Sequence, residues 1–283
     1  MQKTTLEQYV CLGDLRYRVV RPWPDAEEDM EALCDVFTFP DGRVGALRRK
    51  APHVLIYTPQ GSLQAQWDLE GMRCPHYATV GHDGRVYVAD LDGHQIFILD
   101  NQGKVARILG RPDQPSWGKP FNHPTSAHLS PDNTLYVTDG YGNSRVHRFD
   151  SSLNWMASLG EPGLGAGQFS TPHAVRVLED GRVLVVDREN NRVQILTDGG
   201  EYLGELGGLY KPMALAVLHD GSILVTDHTP RLSRFRADGL LLGRARTFST
   251  VAHGVAVGHD GSIFLAEMAP SMLTRLEPVS TDD

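Results

Sequence analysis

The sequence predicts an all-β fold, a six-bladed β-propeller closed by an N-terminal strand in its last blade. Three observations carry that expectation: six copies of a strand–turn–strand unit, blade-like spacing between them, and a composition that favours tight turns. The copies are CDVFTFPDGRVGAL from Cys34, HYATVGHDGRVYVAD from His76, TSAHLSPDNTLYVTD from Thr125, HAVRVLEDGRVLVVD from His173, MALAVLHDGSILVTD from Met213 and HGVAVGHDGSIFLAE from His253. Taking Val36, Val80, Leu129, Val177, Val217 and Val257 as matching apolar positions, the spacings by subtraction are 44, 49, 48, 40 and 40 residues. Such a period means that each unit cannot bury its own apolar face and must stack on its neighbours. The chain has 29 glycines among its 283 residues, more suited to turns than to long helices.

Each copy reads as two strands about an Asp-Gly or Asp-Asn turn. Asp41-Gly42, Asp83-Gly84, Asp180-Gly181, Asp220-Gly221 and Asp260-Gly261 supply the positive φ that a two-residue hairpin needs. A third strand follows, as in Gln95–Leu99, Arg145–Phe149 and Arg192–Leu196, and then a fourth, as in Tyr202–Leu206. The last copy has three strands and runs out at Thr281-Asp282-Asp283, while a strand-like Arg16-Tyr17-Arg18-Val19-Val20 precedes the first. The N-terminal strand is expected to complete blade six and leave no long exposed edge. Pro22 and Pro24 read as the linker into blade one, and no composition shift interrupts the series. Residues 1–283 are therefore read as one domain, with 1–31 an N-terminal segment that includes the closing strand.

Charge and composition exclude several classes. A net charge of -8 offers no basic field for phosphates, so nucleic acid is not an expected partner. No segment approaches a membrane span, and the first residues lack a signal-peptide core, so no membrane partner and a cytosolic location are expected. Cys11, Cys34 and Cys74 are odd in number and lack C-x-x-C spacing, which points to neither a disulfide framework nor a thiolate zinc cluster. Gly163–Gly167 lies between blades with no strand-to-helix turn and reads as a loop rather than a nucleotide fingerprint, so no organic cofactor is expected.

The residues opening the inner strands, read as Ala32, His76, Thr125, His173, Met213 and His253, sit where strands approach the central channel. Histidine occupies alternate copies. In a ring of six, three imidazoles a third of a turn apart form one trigonal face of a tetrahedral zinc site and leave a fourth position open to water or substrate. A second rung closes each second strand: Arg48-Arg49, Asp90-Leu91, Asp139-Gly140, Asp187-Arg188, Asp227-His228 and Glu267-Met268. Its recurring acids are expected to tie down turns. Arg49 and Arg188 share the position after them, in blades one and four, with Tyr141 one residue further along in blade three. Two guanidiniums can grip a carboxylate in a planar fork, and a phenol beside a metal can move a proton.

Asp139-Gly140-Tyr141-Gly142-Asn143-Ser144-Arg145 and Asp187-Arg188-Glu189-Asn190-Asn191-Arg192 resemble NHL repeats, in particular those of the peptidyl-α-hydroxyglycine α-amidating lyases. The Pro-His openings, the Asp-Gly-Tyr and the Asp-Arg-Glu-Asn segments stand in that family's order, and the likeness runs from about Leu33 to Glu267. The resemblance implies His76, His173 and His253 as zinc ligands, with Tyr141, Arg188 and Arg49 around the substrate; Arg48 stands next to Arg49. It does not extend everywhere. Gly142 replaces a cysteine, which removes half of a disulfide, and Gly254 stands where the family's calcium-binding aspartate follows the third histidine.

What the resemblance implies is a metal-dependent carbon–nitrogen lyase. It would cleave the C–N bond of an N-(α-hydroxy) acid, a peptide-like or small α-hydroxy amide carrying a carboxylate, or a relative such as ureidoglycolate, into an amide and glyoxylate. Zinc would activate the α-hydroxyl, Tyr141 would move its proton, and Arg188 with Arg49 would hold the carboxylate. Two alternatives remain at this point: a non-catalytic propeller that binds a protein or glycan, and a metal-dependent lactonase on the same fold. Oligomeric state is left open. Substrate choice is assigned to the loops 111–121 and 161–170.

Overall fold

A computed structural model describes residues 7–24 and 30–279. The chain end at Thr281–Asp283, and residues 1–6 and 25–29 of the N-terminal segment, lie outside the described residues. Blade one runs from inner strand Leu33–Thr38 to outer strand Leu63–Trp67, blade two from Pro75–Val80 to Val105–Gly110, and blade three from Ser126–Leu129 to Trp155–Leu159. Blade four runs from Pro172–Val177 to Tyr202–Leu206, and blade five from Pro212–Val217 to Leu241–Arg246. Each is a four-stranded antiparallel meander. No α-helix occurs among the described residues, and none is long and apolar enough to cross a membrane.

Blade six closes the ring with a strand from the other end of the chain. Its three C-terminal strands, Ala252–Val257, Ile263–Met268 and Ser271–Pro278, are joined by Leu15–Val20, with Tyr17 opposite Pro278 and Val20 opposite Arg275. The N-terminal strand is as expected. Gln8–Leu12 adds a fifth strand outside it, which the sequence pattern left unassigned.

Inner and middle strands are buried along nearly their whole length, because both faces of each blade pack against a neighbour. Outer strands alternate or lie exposed, as in Leu63–Trp67 and Val105–Gly110. The apolar side chains gather into six clusters, one at each interface between blades. Leu47, Phe97 and Trp67 pack together between blades one and two, and Leu12, Tyr17 and Leu265 share the cluster that joins blades five and six. Burying side chains of this size contributes roughly 1.5–3 kcal/mol each, so the closing strand is bound by packing as well as by its ladder.

The turns differ from the two-residue hairpins read from the sequence. In blade one Phe39 N–H donates to Arg43 C=O at 2.9 Å and Gly42 N–H to Phe39 C=O at 3.0 Å. That is a three-residue loop, a type I turn ending in a left-handed residue. Gly42 has φ 87° while Asp41 is absent from the positive-φ residues, which excludes a type I′ turn. The aspartate instead folds its carboxylate back: Asp41 Oδ1 accepts from Arg43 N–H at 3.1 Å, and Asp83, Asp132, Asp180, Asp220 and Asp260 repeat that bond two residues on.

The turn register also corrects the first blade. Leu33 pairs with Arg48 as Pro75 pairs with Asp90 and Pro172 with Asp187. Cys34, not Ala32, therefore stands level with His76 and His173, and Thr38 rather than Val36 matches Val80. Ala32 lies before the strand, with φ 62°, and its carbonyl accepts from Arg49 N–H.

Candidate metal centre

The three strand-opening histidines converge. Ring centroids are 4.7 Å apart for His76 and His173, 5.0 Å for His76 and His253, and 5.2 Å for His173 and His253. One nitrogen from each lies within 4.8 Å of the others, and all three side chains are buried. The group could hold a metal ion.

Why each imidazole points inward follows from the rung itself. His76 Nδ1 lies 2.9 Å from the carbonyl of Thr125, His173 Nδ1 2.8 Å from that of Met213, and His253 Nδ1 2.6 Å from that of Cys34. A carbonyl only accepts, so each Nδ1 carries the proton and each Nε2 keeps its lone pair. The members of the rung that are not histidine thus supply the backbone oxygens that orient those that are. A hydrogen bond from the far nitrogen of a ligating imidazole sets its tautomer and ring direction in metal sites.

The residues present fit a metal ion. His76 Nε2 is buried and has no hydrogen-bond partner, an arrangement costly for a polar atom unless something is bound there. Burial, then the neighbouring imidazole of His173, holds His76 well below the ordinary imidazole range. Burial and the His253 ring do the same to His173, and burial with the Arg49 charge brings His253 down to about 3. All three stay neutral, the state in which imidazole ligates.

Tyr141 O–H donates to His173 Nε2 at 3.1 Å, and its ring stands edge-on to His76 with centroids 5.6 Å apart. Burial raises its phenol, against the pull of Arg188 and Arg49. Arg188 opens a 3-10 turn, Arg188–Asn190, where its Nη1 donates to Glu189 Oε1 at 3.0 Å while Nε is buried without a hydrogen-bond partner. Arg49 is exposed at the same register in blade one, and its charge acts on His76, His173 and His253 alike. Arg48 is buried and donates to the carbonyl of Ala51, so of the two arginines Arg49 is the one on the histidine face.

The acids of the second rung do what repetition suggested. Asp90 accepts from the N–H groups of Arg73, Cys74 and Gly93, Asp139 from Asn122, Asp187 from Ser170, Asp227 from Tyr210, and Glu267 from Phe248 and Ser249. Each staples the loop that enters its own blade, which in blades two, four and six places the histidine that opens the inner strand. The loops 111–121 and 161–170 carry Trp117 and Leu164, 80% and 79% exposed.

Two residues were missed. Tyr77 is buried beneath the histidines, stacked on His253 with centroids 4.8 Å apart and 14° between planes. Its hydroxyl lies 2.7 Å from the carbonyl of His253, 3.0 Å from that of Met213 and 3.3 Å from His173 Nδ1. Its place directly after His76 was the signal. Asp35 was the other: a Cβ on Gly254 would fall 2.1 Å from Asp35 Oδ1, so blade one supplies a carboxylate where blade six carries none.

The NHL repeat matches residues 121–149 and 169–196. A peptidylglycine alpha-amidating monooxygenase of Rattus norvegicus is 37% identical over 144 residues, 47% of this chain and 14% of that protein. A probable peptidyl-alpha-hydroxyglycine alpha-amidating lyase of Caenorhabditis elegans is 32% identical over 134 residues, 44% of this chain and 37% of that protein. The matches thus span well under half the length of these curated relatives. A solved streptogramin B lyase shares the fold, with TM-score 0.67 and 18% identity over 90% of this chain and 96% of its own. The chain is an NHL-repeat propeller that is similar to the peptidyl-α-hydroxyglycine α-amidating lyases.

Proposed function

We propose that the protein is a zinc-dependent carbon–nitrogen lyase acting on an N-(α-hydroxy) acid, an α-hydroxyglycine-like amide, and releasing an amide and glyoxylate. The observation that carries this reading is the meeting of three carbonyl-locked imidazoles, a phenol and two guanidiniums at one mouth of the channel. His76, His173 and His253 would hold the zinc, which would supply Lewis acidity to the substrate's α-hydroxyl.

The chain's own residues supply the rest. Arg188 and Arg49 hold the substrate carboxylate, Arg188 through the nitrogen edge that Glu189 leaves free. Tyr141, kept protonated by burial, gives its proton to the departing nitrogen and takes the α-hydroxyl proton in return. The C–N bond breaks with its electron pair on nitrogen, the C–O bond becomes a carbonyl, and no water is consumed. Tyr77 and the carbonyls of Thr125, Met213 and Cys34 act through the histidines as positioning groups. The three free cysteines and the glycine at 142 suit a reducing compartment, and we place the activity in the cytosol.

The test is release of glyoxylate from α-hydroxyhippurate by protein purified without chelator. Tyr141→Phe should lower kcat by about 10²–10⁴-fold, the usual worth of a proton-transfer group. Turnover by Tyr141→Phe at the wild-type rate would overturn the assigned role.

A further inference from the structure

The channel has a second mouth, at the turn ends of the inner strands, and the reading above makes no use of it. It opens a cavity of about 640 Å³ bounded by the last inner-strand residues of the blades, among them Thr38, Leu129, Val177, Val217 and Val257. That size suits a small organic ligand. The wall is mixed, its valines, Phe37 and Leu129 standing beside threonines, four histidines and Glu179, and Arg176 is the one arginine among them.

Arg176 stands three residues along the inner strand from His173 and lines this cavity. Its guanidinium has few partners. Nη1 lies 3.5 Å from His128 Nδ1 and 3.4 Å from the carbonyl of Val175, both at the long limit of hydrogen bonding, and no other hydrogen bond to its side chain is found among the described residues. No carboxylate pairs with it there either: Asp35 and the Tyr77 hydroxyl act on it only at longer range. Burial pulls the guanidinium below its ordinary value, and burial with the Arg176 charge holds His128 down at about 3, so His128 is a neutral neighbour. Arg176 is half-buried and lines the cavity without a paired carboxylate, and Arg presents a planar fork matched to one.

We infer that the turn-side mouth is a binding site for a small monocarboxylate with an apolar body, anchored head-first on Arg176. The surrounding charge selects the ligand. Glu179 lines the mouth, so a second negative charge on the ligand is repelled where a single carboxylate is matched by one guanidinium. Val177, Val217 and Val257 meet the body of the ligand. This site is separate from the histidine mouth, and its occupant need not be a substrate.

Benzoate is the probe, titrated calorimetrically into wild type, Arg176→Gln and Arg188→Ala. Arg176→Gln should weaken benzoate binding by at least about tenfold, the loss expected for a charge-assisted bidentate pair. Arg188→Ala, on the other mouth, should leave it within about twofold. If Arg176→Gln fails to fold, the side-chain Nε–H resonance of Arg176 in ¹⁵N-arginine-labelled wild type gives the answer, since it should shift with benzoate and stay fixed with benzamide. Failure of benzoate to saturate below about 20 mM, an affinity weaker than about 2 kcal/mol, would overturn the site. So would full binding by Arg176→Gln, or loss of binding in Arg188→Ala. Inorganic phosphate binding more tightly than benzoate would overturn the monocarboxylate assignment.

Discussion

His253 and Cys34 meet across the closure of the ring, the imidazole Nδ1 of blade six lying 2.6 Å from the backbone carbonyl of blade one. The third histidine is therefore aimed by a strand that is far away in sequence, and the candidate metal site is complete only when the propeller is closed. Cys34 contributes its carbonyl and not its sulfur, which is turned toward the carbonyls of Leu47 and Pro75. Burial pushes its thiol up, so a thiolate ligand is not on offer. Cys34→Ala should leave metal stoichiometry unchanged and cost about 1 kcal/mol of stability, read by elemental analysis and urea unfolding. Loss of the metal with the fold intact would make the sulfur a ligand.

Tyr77 holds the underside of the same site. Tyr77→Phe keeps the stack on His253 and removes the hydroxyl that bonds the carbonyls of His253 and Met213. Metal affinity should fall about 10–100-fold, the usual effect of an outer-shell partner, while the melting temperature of the metal-free protein changes little. Chelator competition measures the first quantity. An unchanged affinity would reduce Tyr77 to packing.

Metal binding should be insensitive to mild acid. Protons compete with the ion for the imidazoles, and competition begins only as pH falls through the folded-state value, about 3 for His253 and well below the ordinary range for His76 and His173. Between about pH 7.5 and 5.5 the affinity should change less than about threefold, whereas three ordinary imidazoles titrating near 6.5 would lose about 10³-fold. Zinc titration at the two pH values distinguishes these outcomes.

Asp35 gives the opposite pH sign, in stability rather than binding. Its Oδ2 accepts from Ala78 N–H at 2.9 Å, yet burial pushes the carboxyl up to about 8 from an ordinary 3.8. The folded state then holds a proton that the unfolded chain has released. This contribution to stability is complete below the unfolded value and is lost as pH rises through about 8. Asp35→Asn cannot titrate and keeps an acceptor. From about pH 4.5 to 8.5, wild type should lose on the order of a few kcal/mol relative to Asp35→Asn. A constant difference across that range in urea unfolding would show Asp35 to be ionised throughout.

The ring and its histidines were legible because both are periodic. Each Asp-Gly turn needs a left-handed residue at a fixed place, and counting back from it lands on His76, His173 and His253. The same count lands on Cys34. Blade one has no Pro-His opening and Arg48 stands where four other blades carry aspartate, so its register is set by the turn alone. Tyr77, Asp35 and Arg176 were hidden for another reason. Each acts across the channel on residues of other blades, and no repeat along one chain shows which side chains face one another through its centre.

The most direct measurement is metal content and metal position in protein purified without chelator, by elemental analysis and anomalous scattering. One zinc per chain is expected, within bonding distance of His76, His173 and His253, and both zinc and glyoxylate release should be lost in His173→Ala. A folded His173→Ala protein that keeps full turnover without metal would contradict it, as would an ion bound away from the three imidazoles.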